Sequence, residues 1–260
     1  MSEENDSKNQ LWRGLNDQAQ AALDTRNYAK ADIATRLGTA GVDAGEIATD
    51  SPGPKAGLED VWIPGVEIFS RRVFQQRHRG WFSEFARLTE GRLHDIGLTP
   101  QQWATATMFA GTAKGFHIHP PAIPESEDPI AWNQNLYPNA TKSTDYDSRP
   151  YDQEQWDAMF FVQGMIEFLL VDERAGMPRN KMRFMIDGDN FPGANNIGLV
   201  IPSGVAHALR CASSENVIMV YGTSTTFNPP FEGRMHSEVE TCELPSEWDD
   251  YFLEKSAPNS

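Results

Sequence analysis

Cysteine and positive charge are both scarce in this sequence of 260 residues. The only cysteines, Cys211 and Cys242, are too few for a disulfide framework, so we expect ordinary thiols in a reducing compartment. Lysine and arginine number 22 against 37 aspartates and glutamates, which gives a formal net charge of -15. Because nucleic-acid-binding proteins present a basic face to phosphates, this balance argues against a nucleic-acid partner.

Long apolar segments are lacking as well. No run approaches the roughly 18 apolar residues that span a bilayer, and the first residues, MSEENDSKNQ, do not form a signal peptide pattern. We therefore expect a soluble, cytoplasmic protein without a membrane partner. The chain is long enough for one substantial β domain with terminal extensions.

The sequence divides into a polar first part and a longer second part. Apolar residues recur every three to four positions from about residue 10 to residue 37, which predicts one or two surface helices. Residues 38–58 are dominated by Gly, Ala, Asp, Ser and Pro, a composition typical of linkers. We therefore predict a helical N-terminal extension and linker over residues 1–58 and the main domain over residues 59–260. Aromatic residues at helical spacing within 244–255 predict a short C-terminal helix.

From Val61 onward the sequence is β-like. Short runs rich in Val, Ile, Phe and Thr alternate with Gly, Pro, Asn or Asp, and the predicted strands are 66–74, 103–109, 159–162, 165–171, 181–186, 197–201 and 216–221. Many short strands joined by turns indicate an all-β sandwich or jelly roll. A proline-rich insertion over residues 120–155 interrupts them and is expected to lie over the pocket described next.

Three histidines predict a polar pocket. His117 and His119 are two residues apart, so in a strand both side chains point to one face. His207 follows a short apolar strand and the turn of Ile201–His207. We expect these two segments to form two walls of one pocket.

Five segments in order resemble one enzyme family. They are RGWFSE at 79–84, KGFH at 114–117, VQG and VDER within 162–174, IPSGVAH at 201–207, and VYGTSTTFNPPFEG at 220–233. Together they are similar to the dTDP-4-dehydrorhamnose 3,5-epimerase family over about residues 61–233. The resemblance implies a cupin-type double-stranded β-helix, or jelly roll, that forms a homodimer. It also implies action on a nucleotide sugar without a metal or redox cofactor.

The resemblance assigns roles to individual residues. His117 falls on the base that removes protons from carbons next to a keto group, a step suited to a pKa near neutrality. Tyr221 falls on the acid that returns a proton from the opposite face. Substrate-binding roles are expected for Arg79, Glu84, Lys114, His119 and His207, with Lys114 as a cation near the developing enolate.

The sequence departs from the family pattern at several positions. Asp157 stands where the family has a lysine, which reverses a charge in the site, and Phe168 stands where it has an acidic residue. The aspartate that orients the catalytic histidine has no clear counterpart, although Asp249 or Asp250 could approach. His119 is at a position where the family does not have histidine.

Two other functions remain open at this point. His117, His119 and His207 could bind a divalent metal such as Zn, Fe, Mn or Ni, as in metal-dependent cupin isomerases or oxygenases. Glu125 lies slightly beyond the usual spacing of the fourth ligand. Alternatively, the protein is a non-catalytic sugar-binding cupin that has lost the lysine and the aspartate.

Overall fold

The computed structural model describes Leu37, residues 42–119, 154–174 and 177–227, and the backbone of Gly233–Arg234. The predicted N-terminal helices, most of the proline-rich insertion and the predicted C-terminal helix lie outside the described residues. So do Glu125, Asp249 and Asp250.

The described chain is mostly β-strand. The strands are β1 Val42–Asp43, β2 Glu67–Ser70, β3 Val73–Gln75, β4 Trp81–Ser83, β5 Gln102–Met108, β6 Ala113–Ile118, β7 Asp157–Gln163, β8 Met165–Asp172, β9 Lys181–Asp187, β10 Ile197–Ile201, β11 Val205–Cys211, β12 Val217–Thr223 and β13 Gly233–Arg234. Two short helices, α1 Ala44–Ile47 and α2 Arg92–Asp95, and a 3₁₀ turn, Arg77–Arg79, lie between them.

The strands form two main sheets. One has the order β1-β9-β8-β11-β6-β13 and the other β2-β10-β7-β12-β5, while β3 and β4 form a separate hairpin. Within them β5 to β12 make two antiparallel sheets of four, β5-β12-β7-β10 and β6-β11-β8-β9. This interleaved order is that of an eight-stranded jelly roll, so the prediction of an all-β domain is confirmed.

The apolar core lies between the two sheets. Phe161 on β7, Phe168 on β8 and Phe184 on β9 are fully buried and in contact as aromatic pairs. Their ring centroids are 6.0 Å and 5.9 Å apart, a separation at which aromatic pairs stabilise a core beyond the area that they bury.

A second, smaller core covers the outer face of the five-stranded sheet. Phe160 and Val200 point to this face and pack with Leu93 of α2, Leu98 and Phe69. Strands such as β7 are therefore buried on both faces, which explains why their sequences show imperfect alternation of apolar and polar residues.

The linker prediction for residues 38–58 is wrong over residues 42–47. Strand β1 pairs in parallel with β9, with Val42 opposite Phe184. Val42, Ala44 and Ile47 are buried in the main core. A composition rich in Gly, Ala and Asp concealed these apolar positions, because six residues are too few to show a period. The assignment of the preceding residues stays a prediction.

Among the residues that the structure describes, no helix has the length and apolarity required to cross a membrane.

Candidate active site

A cavity of about 410 Å³ lies between the two sheets. Its polar lining consists of Gln102, Lys114, His117, His119, Gln155, Asp157, His207, Tyr221 and Thr223, and its apolar lining of Ala106, Met159, Leu209, Met219 and Phe227. Of the seven residues predicted for the site, five therefore line one cavity. Their roles stay predictions.

The three histidines come together on the wall formed by β6 and β11. His117 and His207 are register partners, and their ring centroids are 5.8 Å apart. His119, one residue beyond β6, has its ring centroid 5.5 Å from that of His207. His119 and His207 are buried, whereas His117 is partly exposed to the cavity. The pattern of two histidines two residues apart thus does place both on one face.

Two glycines hold this wall in place. Gly115 has a φ of 127°, and a Cβ atom there would lie 2.7 Å from the carbonyl oxygen of His207 and from Ala208 Cα. Only glycine therefore allows β6 to approach β11 so closely. Gly204, with a φ of 77°, forms the turn before β11, and its N–H donates to the His119 carbonyl at 2.7 Å.

Asp157 is the charged residue that the opposite sheet brings to the histidines. Its Oδ2 lies 3.0 Å from Nε2 of His119 and 3.9 Å from Nε2 of His207. Burial alone would raise the pKa of Asp157, but the charge and hydrogen bond of His119 and the charge of His207 lower it to about 2. Asp157 is therefore a carboxylate at neutral pH.

A chain of hydrogen bonds orients the Asp157 carboxylate. Its Oδ1 accepts a hydrogen bond from Gln155 Nε2 at 3.0 Å, and Gln155 Oε1 accepts one from Thr225 Oγ1 at 2.9 Å. All three side chains are buried. With Oδ1 held by Gln155, Oδ2 is the oxygen that faces the imidazoles.

Tyr221 reaches the cavity from β12, in the sheet opposite His117. It is partly buried and packs against the main core, with Met159 as its register partner on β7. A titratable phenol and an imidazole thus line one cavity from opposite walls. Groups so placed can remove a proton from one face of a bound molecule and deliver one to the other.

Arg79 and Glu84 do not line the cavity. Arg79 is an exposed residue at the tip of the β3–β4 hairpin, in the 3₁₀ turn. Glu84 follows β4, and its Oε2 forms an exposed ion pair with Arg87 at 3.0 Å. Their expected contacts with substrate stay predictions.

Part of this site is not evident from the sequence. Asp157 stands out there only as a reversed charge, and Gln155 does not stand out. Among the described residues, the donors that converge are His119, Asp157 and His207, all within 4.8 Å of one another, rather than the three histidines alone. The hint in the sequence was the alternation of Gln155, Asp157 and Met159 at the start of β7, which places all three on one face.

Comparison with known proteins gives distant similarities, and no protein-family model matches the sequence. The spore coat polysaccharide biosynthesis protein SpsL of Bacillus subtilis (strain 168) is 25% identical over 181 residues, which cover 69% of this chain and 93% of SpsL.

Similar solved structures include three epimerases at 18–20% identity. NovW, a 4-keto-6-deoxy sugar epimerase of Streptomyces spheroides, is 18% identical, with 65% of this chain and 68% of NovW covered and a TM-score of 0.45. The dTDP-6-deoxy-D-glucose-3,5-epimerase RmlC of Legionella pneumophila is 18% identical, with 65% of this chain and 72% of RmlC covered and a TM-score of 0.45. The RmlC epimerase of Mycobacterium tuberculosis is 20% identical, with 65% of this chain and 68% of that epimerase covered and a TM-score of 0.45. The three structures are of epimerases, and the chain is similar to them at low identity.

Proposed function

We propose that the protein is an isomerase, a nucleotide-sugar epimerase that inverts carbon next to the keto group of a 4-keto-6-deoxy sugar. His117 is the base that takes the proton from the carbon α to the ketone. The C–H electron pair forms a C=C bond to the ketone carbon, and the ketone oxygen takes the negative charge of the enolate. Tyr221 then donates its hydroxyl proton to the same carbon from the opposite face, which inverts the configuration.

The observation that carries this proposal is the placement of His117 and Tyr221 on facing sheets with the cavity between them. Inversion needs an acid and a base on opposite sides of the sugar ring, and a single wall could not supply both. An imidazole titrates near neutrality, so it can act as a base at physiological pH. The proton transfers themselves need no redox cofactor.

Lys114 supplies positive charge on the histidine wall. It lies on β6, three residues before His117, and lines the cavity. A cation near the ketone oxygen offsets the charge that develops on the enolate.

We also propose a homodimer, with the β3–β4 hairpin as the contact surface. Phe74, Trp81 and Phe82 are 48%, 40% and 51% exposed on this hairpin. Arg79 and Glu84 belong to the same segment and do not line the cavity of their own chain, so the substrate contacts expected of them fit a site that a second copy completes. Sedimentation of the protein and of a Phe82→Ser variant tests this, since the variant is expected to be monomeric.

Solvent exchange tests the proposed reaction. The protein is incubated in D₂O with a dTDP-linked 4-keto-6-deoxy sugar, and the ring protons are followed by NMR. Loss of the signals from carbons next to the ketone, with deuterium in their place, is expected. Binding of the nucleotide sugar without any exchange would instead favour a non-catalytic sugar-binding protein.

A further inference from the structure

Three buried side chains in the cavity converge on a common point. His119, Asp157 and His207 are 8%, 3% and 2% exposed. Their ligand atoms all lie within 4.8 Å of one another, with Asp157 Oδ2 at 3.0 Å and 3.9 Å from the two Nε2 atoms. Donors that bind one metal at about 2.0–2.2 Å lie roughly 3–4 Å apart, so shifts of less than about 1 Å would bring this set to a shared ion.

Contacts orient two of the three donors, Asp157 and His207, while Nε2 of His119 lies 3.4 Å from Gln155 Nε2. Gln155 Nε2 bonds Oδ1 of Asp157 at 3.0 Å and leaves Oδ2 toward the imidazoles. Nδ1 of His207 lies 3.4 Å from the carbonyl oxygen of Val205, so a proton on Nδ1 leaves the lone pair on Nε2. A carbonyl partner for the second ring nitrogen is the usual support of a metal-ligating histidine.

The donor types select the class of ion. Two imidazoles with one carboxylate suit divalent transition metals, whereas Mg²⁺ and Ca²⁺ prefer sites composed of oxygen. The two histidines come from the six-stranded sheet and Asp157 from the other, so an ion here would also join the two walls of the cavity.

We propose that Nε2 of His119, Nε2 of His207 and Oδ2 of Asp157 form a binding site for a divalent first-row transition-metal ion. With three protein ligands, such an ion would still have positions for water or substrate. Resting on the proposed function, the ion would offset enolate charge beside Lys114 as a Lewis acid. Binding of the metal itself does not depend on that function.

Cobalt(II) titration tests the site directly. The full chain, purified without a polyhistidine tag and stripped with EDTA, is titrated with CoCl₂ while the visible d–d absorption is recorded, and affinity is measured by calorimetry. We expect one equivalent to bind, with a dissociation constant below about 10 µM. Asp157→Asn and His119→Gln are each expected to weaken binding by about 100-fold or more.

A matched control is available on the surface. His94 and Asp95 also form a histidine–aspartate pair, with 3.4 Å between Nδ1 and Oδ1, but both side chains are more than half exposed. The double variant His94→Gln, Asp95→Asn should bind Co²⁺ like the parent protein. The proposal is overturned if the parent binds no stoichiometric Co²⁺, or if Asp157→Asn binds as tightly as the parent.

Two further measurements keep the outcomes distinct. If a variant does not fold, as judged by circular dichroism, Asp157→Glu replaces it, and the parent titration alone can still refute the site. Solvent exchange into the sugar is measured with EDTA and with Co²⁺. Co²⁺ binding without exchange under either condition refutes the proposed reaction and retains the metal site. Exchange without Co²⁺ binding refutes the metal site and retains the proposed reaction.

Discussion

The guanidinium of Arg71 and the carboxylate of Asp189 form a buried ion pair, with 2.5 Å between Nη2 and Oδ1. Arg71 follows β2 in one sheet and Asp189 follows β9 in the other. Oδ2 of Asp189 accepts a hydrogen bond from Ser83 Oγ, also at 2.5 Å, at the end of β4. This pair therefore joins the sheets and fastens the hairpin that carries Arg79.

Removal of the Asp189 carboxylate should destabilise the protein. Asp189→Asn leaves the Arg71 guanidinium buried without its counter-charge, and we expect a loss of about 3–5 kcal/mol in the free energy of unfolding. Urea unfolding measures it. Glu90→Gln is the control, because Glu90 pairs with Arg87 on the surface, where such pairs contribute at most about 1 kcal/mol. Equal losses in the two variants would contradict the role given to the buried pair.

Gly115→Ala should disrupt the histidine wall. The new methyl group would lie 2.7 Å from Ala208 and from the His207 carbonyl, both on β11. We expect the free energy of unfolding to fall by about 3 kcal/mol. Ligand binding in the cavity should be lost as well.

Gly193→Ala is the control for that substitution. Nothing lies within 4 Å of a Cβ atom at Gly193. Its free energy of unfolding should change by less than about 0.5 kcal/mol. A Gly115→Ala protein as stable as Gly193→Ala would show that β6 and β11 are not so closely apposed.

Asp187, which does not line the cavity, should make the free energy of unfolding depend on pH. Burial raises the pKa of its carboxyl; the hydrogen bond from Asn195 lowers that pKa, and the charge of Asp43 raises it. Because the net folded-state pKa is raised, the contribution to stability is fully present below the unfolded value of about 3.9 and is lost as pH rises through the folded pKa.

Asp187→Asn is therefore expected to stabilise the protein at pH 7, since it removes a charge that is costly to bury. The gain should vanish below about pH 4, where the parent carboxyl is protonated. Urea unfolding across this range checks the sign, with Asp50→Asn, an exposed residue, as the control. A variant less stable than the parent at pH 7 would contradict the prediction.

Lys114 should contribute to turnover through its charge. If it stabilises an enolate, Lys114→Met is expected to lower kcat by about 100-fold, and Lys114→Arg should retain more activity because it keeps the charge. Lys55→Met, on the exposed surface, should have no effect on kcat. Steady-state kinetics that show a change in KM alone would assign Lys114 to binding.

The sequence predicted most strands of the two main sheets and the histidine wall because each depends on local pattern. The predicted strand 66–74 is divided into β2 and β3 of different sheets, and β11 was not predicted. The spacing of His117 and His119 places both on one face whatever the rest of the fold, and Gly204 with Pro202 marks the turn before His207. Strand alternation was less informative in β7, since both faces of that strand are buried. The fold class followed from strand number and turn spacing.

The sequence does not show which distant segments are in contact. Asp157 lies 38 residues after His119 and on the other sheet, so only the three-dimensional pairing shows that it faces His119 and His207. Strand β1 was concealed for the same reason, because a strand of two residues is defined by its partner β9 rather than by its own sequence.

One NMR experiment separates the proposed roles of His117 as base and Tyr221 as acid. Deuterium exchange and inversion at the carbons next to the ketone are followed in D₂O for the parent, His117→Asn and Tyr221→Phe. We expect His117→Asn to abolish both processes, and Tyr221→Phe to retain exchange while inversion is lost. Undiminished exchange in His117→Asn would show that His117 is not the base.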